Sequence, residues 1–210
     1  MDFGLYIIIT KPVLAHTRIA EICVRQKIKY LQLREKSLND KELLQIARDL
    51  KSITKDSQTM FIVNDRVDIC ILSDADGLHL GQDDISICDV KKLLHKKIIL
   101  GVSTHNLQQF KEAQNLDLDY IGFGPIYKTP TKLNPDPVVG TDMLNNILPT
   151  SKIPVVAIGG IDEDNISEVL NAGAKNLCMV RALMNTSDFE NKIIRIRETM
   201  SKHLNKSGMF

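Results

Sequence analysis

The chain has no large excess of charge of either sign. Its 27 Lys and Arg stand against 26 Asp and Glu, a formal net charge of +1. No global field therefore draws it to nucleic acid or to a membrane surface, and any anion site must be built locally. Long apolar runs are missing too, and none approaches the ~20 residues that a membrane-spanning helix needs. The first residues, Met1-Asp2-Phe3-Gly4, lack the basic-then-apolar order of a secretory leader. The four cysteines, Cys23, Cys70, Cys88 and Cys178, form no C-x-x-C pair. That excludes the usual zinc and dithiol signatures and predicts reduced, mostly buried thiols in a cytoplasmic protein. No G-x-G-x-x-G follows the first strand-like run, and no linker or low-complexity stretch divides the sequence. What remains is 210 residues with 43% hydrophobic and 25% charged side chains, enough for one sizeable core. A homo-oligomer is compatible with this composition.

What the sequence does have is regular alternation. Apolar, β-rich runs fall at 5–10, 30–35, 60–64, 77–81, 98–103, 119–124, 154–159 and 176–180. Helix-period stretches follow them at 13–26, about 40–54, 66–73, 86–95, 106–115, 141–148, 162–172 and about 186–203. In the second helix Leu43, Leu44, Ala47 and Leu50 make the buried stripe, and Asp40 is the expected N-cap. Parallel strands need crossovers, so strand–helix alternation with short links implies a parallel sheet. Eight such units predict an α/β chain closed into a single (β/α)₈ TIM barrel over residues 1–210, with a frayed tail at 205–210.

The active site of such a barrel lies at the C-terminal strand ends. Unusual polar residues collect there. The stretch 119–132 ends a buried strand at Gly124-Pro125 and opens into a loop carrying Lys128, Thr129, Thr131 and Lys132. Its hydroxyl and ammonium groups suit a phosphorylated ligand. On the second strand, alternation puts Gln32, Arg34 and Lys36 on one face and Leu31 and Leu33 on the other. The leucines suit the layer beneath the helices, so the polar trio points into the barrel. Cationic groups there demand an anion or carboxylate partner, which an internal ion-pair layer would also supply. Strands three and four end in Asn64-Asp65 and Gln82-Asp83-Asp84. Asp65 and Asp84 could share a divalent cation, or serve only as helix caps. His79, alone within its strand, reads as a packed core residue. Ser103 and His105 are within reach of a ligand or belong to the turn. Gly159-Gly160 and the strand-eight end at Val180-Arg181 sit where this barrel type recurrently binds phosphate. Two anion-handling regions on one mouth suggest two phosphorylated substrates, one of them handled with Mg²⁺. They also suggest an enzyme working by positioning and leaving-group electrostatics.

These motifs resemble the thiamine-phosphate synthase (thiamin phosphate pyrophosphorylase) family through about residues 4–200. They are Gln32-Leu33-Arg34-Glu35-Lys36, Asn64-Asp65-Arg66, His79-Leu80-Gly81-Gln82-Asp83-Asp84, Ser103-Thr104-His105, Gly124 through Lys132, and Gly159-Gly160-Ile161. The resemblance implies a transferase that couples hydroxymethylpyrimidine diphosphate with thiazole phosphate, giving thiamine phosphate and pyrophosphate. It implies that Gln32, Arg34, Lys36, Asn64, Ser103 and Lys132 serve the pyrimidine diphosphate, and that Asp65 and Asp84 hold Mg²⁺. Thr129, Thr131, Gly160, Val180 and Arg181 would lie at the thiazole phosphate, and Arg34, Lys36 and Lys132 would assist a dissociative reaction.

Two positions depart from the family pattern. Arg181 stands where a small Ser is usual, and Lys11 where an Asp is common; Lys11 is assigned no role. A sister group that tautomerises the thiazole phosphate carries a His where this chain has Pro125, and tends to lack the strand-two trio. A non-catalytic sensor of thiamine intermediates is favoured by Arg181 alone and opposed by the intact Lys36, Asp65 and Asp84.

Overall fold

The computed structural model describes residues 3–129 and 136–206. Eight parallel strands close into a barrel in sequence order: β1 (Leu5–Ile9), β2 (Tyr30–Leu33), β3 (Met60–Asn64), β4 (Gly77–Leu80), β5 (Ile99–Thr104), β6 (Tyr120–Phe123), β7 (Val155–Ile158) and β8 (Asn176–Cys178). The crossovers carry α1 (His16–Arg25), α2 (Asp40–Thr54), α3 (Val67–Leu72), α4 (Ile87–Leu93), α5 (Leu107–Ala113), α6 (Gly140–Ile147) and α7 (Ile166–Asn171). After β8 come a one-turn helix α8 (Arg181–Met184) and the long α9 (Phe189–Lys206). The expected (β/α)₈ barrel is thus present, and its strands fall within a few residues of the predicted runs. Sequence reading missed α8, which is too short to carry a period. The residues beyond 206 in the expected tail lie outside the described ones.

Strand alternation explains the continuous apolar runs. Ile7, Ile9, Leu31, Leu33, Phe61 and Val63 face outward and are covered by helices. Tyr6, Ile8, Tyr30, Ile62, Tyr120 and Val156 face inward. Below the strand ends both faces of the sheet are therefore packed with apolar side chains, as a parallel barrel requires. Aromatic rings fill the inner floor. Phe3 meets Tyr30 edge-on at 4.6 Å between centroids, and Tyr6 lies 5.5 Å from Tyr120.

The helix ends correct one expectation. Asn39, not Asp40, caps α2: its Oδ1 accepts from Glu42 N at 3.0 Å, and Glu42 returns the contact to Asn39 N in a capping box. Asp40 is the first helical residue and pairs with Arg66. Cys23, Cys70 and Cys178 are buried, Cys88 is exposed, and all are free thiols. No helix among the described residues is long and apolar enough to cross a membrane.

Candidate active site

A cavity of about 470 Å³ opens at the C-terminal ends of the strands. On one side it is walled by Gln32, Arg34, Asn64 and Ser103, and on the other by Thr129, Gly160, Val180 and Arg181. Eight of the residues predicted from sequence thus meet in one space. Lys36, Asp65 and Asp84 form a separate cluster at the neighbouring ends of β2, β3 and β4. Thr131 and Lys132 lie outside the described residues.

The first wall follows from the pleat of β2. Gln32 is buried inside the barrel, and Arg34, two residues on, reaches the cavity. Lys36 continues outward to the rim, where its ammonium pairs with Asp65 and stays largely in solvent. Glu35 faces away from the trio. Its Oε1 accepts from Lys11 N at 2.8 Å and lies 2.9 Å from His16 Nε2, tying the loop after β1 to β2.

The acidic pair is not a pair of helix caps. Arg66 occupies the N-cap position of α3, and Ser86 caps α4 by accepting from Asp89 N. Asp65 sits just past β3 with φ of 60°, a left-handed conformation that Asp tolerates better than most residues. Asp84 Oδ2 accepts from Gly81 N at 2.6 Å. Burial raises the Asp84 carboxyl above the ordinary carboxylate range, and a hydrogen bond to Asp65 and the charge of Asp65 raise it further. Two carboxylates are therefore held together, partly desolvated, with Lys36 as the neighbouring cation. This donor set fits a hard divalent ion, which takes one or two carboxylates and completes its shell with water and phosphate oxygens. Among the described residues no group of three or more His, Cys, Asp and Glu is arranged for a metal, so those outer ligands would have to come from elsewhere. Arg66 is occupied structurally, bound to Asp40 at 2.6 Å and to Asp68 at 2.6 and 2.9 Å.

The second wall depends on backbone contact between the loops after β6 and β7. The Gly124-Pro125 peptide is cis, and a Cβ on Gly124 would lie 1.9 Å from Ile158 O. Beyond it, Ile126 N donates to Ile158 O and Tyr127 N to Gly159 O, both at 2.9 Å. Gly160 has φ of 67°, and a Cβ there would strike Tyr127 O at 2.8 Å and Lys128 O at 2.9 Å. The paired glycines thus seat one loop on the other, which brings Thr129 beside Gly160. Arg181, at the start of α8, is exposed at the rim of the same cavity.

His79 is the packed, hydrogen-bonded residue expected, and with His105 it also reaches the cavity. His79 lines the cavity and is only 8% exposed; its Nδ1 lies 2.9 Å from Tyr120 Oη and its Nε2 2.8 Å from Ser103 Oγ. His105 lies with Nδ1 2.6 Å from Gly124 O and Nε2 3.5 Å from Asp136, bridging the ends of the loop that follows β6. The inward face of β4 was the available signal for His79. Its partners come from β5 and β6, which no local pattern reveals.

A closed (β/α)₈ barrel with a cavity at the C-terminal ends of its strands is the frame of a barrel enzyme. Comparison narrows that class. The thiamine monophosphate synthase family model matches residues 5–183. Thiamine-phosphate synthase of Caldicellulosiruptor bescii is 38% identical over 179 residues, covering 85% of this chain and 82% of its own. That of Methanospirillum hungatei is 39% identical over 191 residues, covering 90% and 93%. The solved thiamine phosphate pyrophosphorylase from Pyrococcus furiosus superposes with a TM-score of 0.85 at 30% identity, over 96% of this chain and 97% of its own. The chain belongs to the thiamine monophosphate synthase family, and it is a transferase.

Proposed function

We propose that the protein couples a hydroxymethylpyrimidine diphosphate with a thiazole phosphate, releasing pyrophosphate and forming thiamine phosphate. The observation that carries this reading is one cavity with two facing walls and a cation–carboxylate cluster beside the first of them. Arg34 and the Lys36–Asp65–Asp84 cluster stand at β2–β4, and Thr129, Gly160 and Arg181 stand at β6–β8. The relatives named thiamine-phosphate synthase support it further.

In this reading the pyrimidine enters over Gln32, Asn64 and Ser103, with its diphosphate toward Arg34, Lys36 and Lys132. Gln32 Oε1 is buried without a protein partner in the structure, so an N–H donor on the ring would satisfy it. The C–O bond to the diphosphate breaks with both electrons leaving on pyrophosphate. Arg34 and the lysines neutralise the charge that develops there. A cation such as Mg²⁺, held by Asp65 and Asp84, would supply further neutralisation of the leaving group. The thiazole nitrogen then gives its lone pair to the exposed methylene carbon and the C–N bond forms. Thr129, Thr131, Gly160, Val180 and Arg181 hold the thiazole phosphate so that this nitrogen faces the carbon, a contribution of orientation.

The test is a coupling assay on the purified protein with both substrates and Mg²⁺, repeated with EDTA. Metal-dependent appearance of thiamine phosphate and pyrophosphate is the expected result. No product from a folded protein that still binds thiazole phosphate would reject the synthase reading and turn attention to Arg181.

A further inference from the structure

A chain of hydrogen bonds crosses the barrel interior beneath the cavity. Gln32 Nε2 donates to Tyr6 Oη at 2.9 Å, and Tyr6 Oη lies 2.8 Å from Tyr120 Oη. Tyr120 Oη is 2.9 Å from His79 Nδ1, and His79 Nε2 is 2.8 Å from Ser103 Oγ. Both ends, Gln32 and Ser103, line the cavity, while Tyr6 and Tyr120 between them are 2% and 1% exposed. Burial pushes both phenols well above their ordinary range, so each keeps its single proton.

One proton per hydroxyl gives the chain a direction. Tyr6 already accepts from Gln32, so its own proton goes to Tyr120. The reverse orientation would need the Gln32 amide turned over, with Oε1 accepting the Tyr6 proton and Nε2 in place of the bare Oε1. The Tyr120 proton goes in turn to His79 Nδ1. The imidazole proton then sits on Nε2 and is donated to Ser103 Oγ. The Ser103 hydroxyl proton is left to turn to the cavity, while Gln32 Oε1, buried without a protein partner, awaits a donor. The cavity thus offers an acceptor on β2 and a donor on β5, and the two are locked in phase.

We propose that Tyr6, Tyr120 and His79 are positioning residues that fix this polarity and so decide which pyrimidine the cavity takes. An aminopyrimidine offers an exocyclic N–H donor and a ring-nitrogen acceptor, the complement of Gln32 Oε1 and Ser103 Oγ–H. The oxo counterpart, in its lactam form, offers a carbonyl and a ring N–H. To receive it, every proton in the chain would have to reverse. The inference rests on the reading that a pyrimidine diphosphate occupies this cavity.

Two measurements test it. Nitrogen-15 NMR of histidine-labelled wild-type protein, with His79 assigned by the His79→Gln variant, reports the tautomer. Protonation at Nε2 with Nδ1 bare is expected, and the opposite tautomer overturns the proposal. The second measurement is the ratio of kcat/KM for the aminopyrimidine diphosphate to that for its oxo analogue. A site built around hydrogen bonds rejects the mismatched analogue by about 10⁴-fold. In Tyr120→Phe and Tyr6→Phe that ratio should fall by tenfold or more, roughly the effect of one lost buried hydrogen bond, with the KM for thiazole phosphate unchanged. An unchanged ratio in a folded variant overturns the proposal. Should Tyr120→Phe not fold, Tyr6→Phe and the wild-type tautomer still decide it. If wild-type protein couples neither pyrimidine, the synthase reading has failed. The relay is then judged by the tautomer and by calorimetric binding of the two diphosphates, where equal affinity counts against it.

Discussion

Replacing Gly101 by alanine should destabilise the protein severely, for a reason visible inside the barrel. A Cβ on Gly101 would lie 2.1 Å from Tyr120 Cζ and 2.5 and 2.6 Å from the ring's Cε atoms. Carbon atoms rest about 3.5–4.0 Å apart, so the ring would have to retreat by roughly 1.5 Å. It has nowhere to go, because Tyr120 is 1% exposed and ringed by Phe3, Tyr6, Tyr30 and His79 with centroids 5.5–6.3 Å away. Overpacking of this kind costs about 1–3 kcal/mol. Moving the hydroxyl also breaks its contacts with Tyr6 and His79, at about 1–3 kcal/mol for each buried group left unpaired. The sum is about 3–9 kcal/mol, a large part of the ~5–15 kcal/mol that stabilises a typical domain. Gly122→Ala is the control. It faces the same interior from the next strand, but its nearest neighbours would be His79 Cε1 at 3.5 Å and Ser103 Cα at 3.7 Å, ordinary contact distances. Its cost should stay below about 1 kcal/mol. Urea unfolding curves with matched slopes would measure both. A Gly101→Ala protein within about 1 kcal/mol of wild type, or a Gly122→Ala protein that is the less stable of the two, would refute the packing argument.

Three further outcomes are expected. Lys36→Ala should cut coupling turnover at least about 100-fold, the size typical of a lost charge-stabilising donor, yet barely move the melting temperature because the side chain is 58% exposed; unchanged turnover would remove Lys36 from the leaving-group role. Asp84→Asn keeps an acceptor for Gly81 N but removes the repulsion from Asp65, so the metal-free variant should be at least as stable as wild type; a Mg²⁺-induced rise in melting temperature equal to that of wild type would show that Asp84 holds no ion. Hydrogen bonds from Arg25 and Gln26 lower the Glu190 carboxyl to about 2, and Glu190 joins α9 to α1. A depressed acid stabilises above its ordinary pKa and loses that contribution as pH falls through the folded value. Glu190→Gln should therefore flatten the decline of melting temperature between the ordinary glutamate range and pH about 2, and parallel wild-type and variant curves would discount the tether.

The barrel was legible because its signals are local. The strand runs are mostly apolar, the longer helices show their period, and strand parity alone sorted Gln32 and Arg34 inward and Leu31 and Leu33 outward. The cap of α2 was misread by one residue because Asn39 and Asp40 both suit the position. Only the reciprocal contact with Glu42 separates them. Asp65 and Asp84 were ambiguous for a related reason. Each stands just before a helix, where an acid is ordinarily a cap. The N-cap positions, held by Arg66 and Ser86, had to be seen before the carboxylates could be assigned to each other.

His79 was the residue least open to local reading, and strand register explains why. His79 pairs with Gly101 on β5, and Gly101 pairs with Tyr120 on β6, so the three lie in one row around the barrel wall. A histidine and a tyrosine two strands apart would ordinarily be separated by the side chain between them. Here the middle residue has none, and Tyr120 lies over Gly101 to bring its hydroxyl to His79 Nδ1. The glycine is therefore not a flexible point in β5 but the opening through which the phenol reaches the imidazole. A sequence shows a strand histidine, a strand glycine and a strand tyrosine, each with its own unremarkable structural role. Only their alignment across three strands makes them one hydrogen-bonded unit, and it ends on the Ser103 hydroxyl that faces the cavity. Gly101→Ala should consequently disturb the relay from its middle, changing pyrimidine selectivity in whatever fraction of the protein still folds.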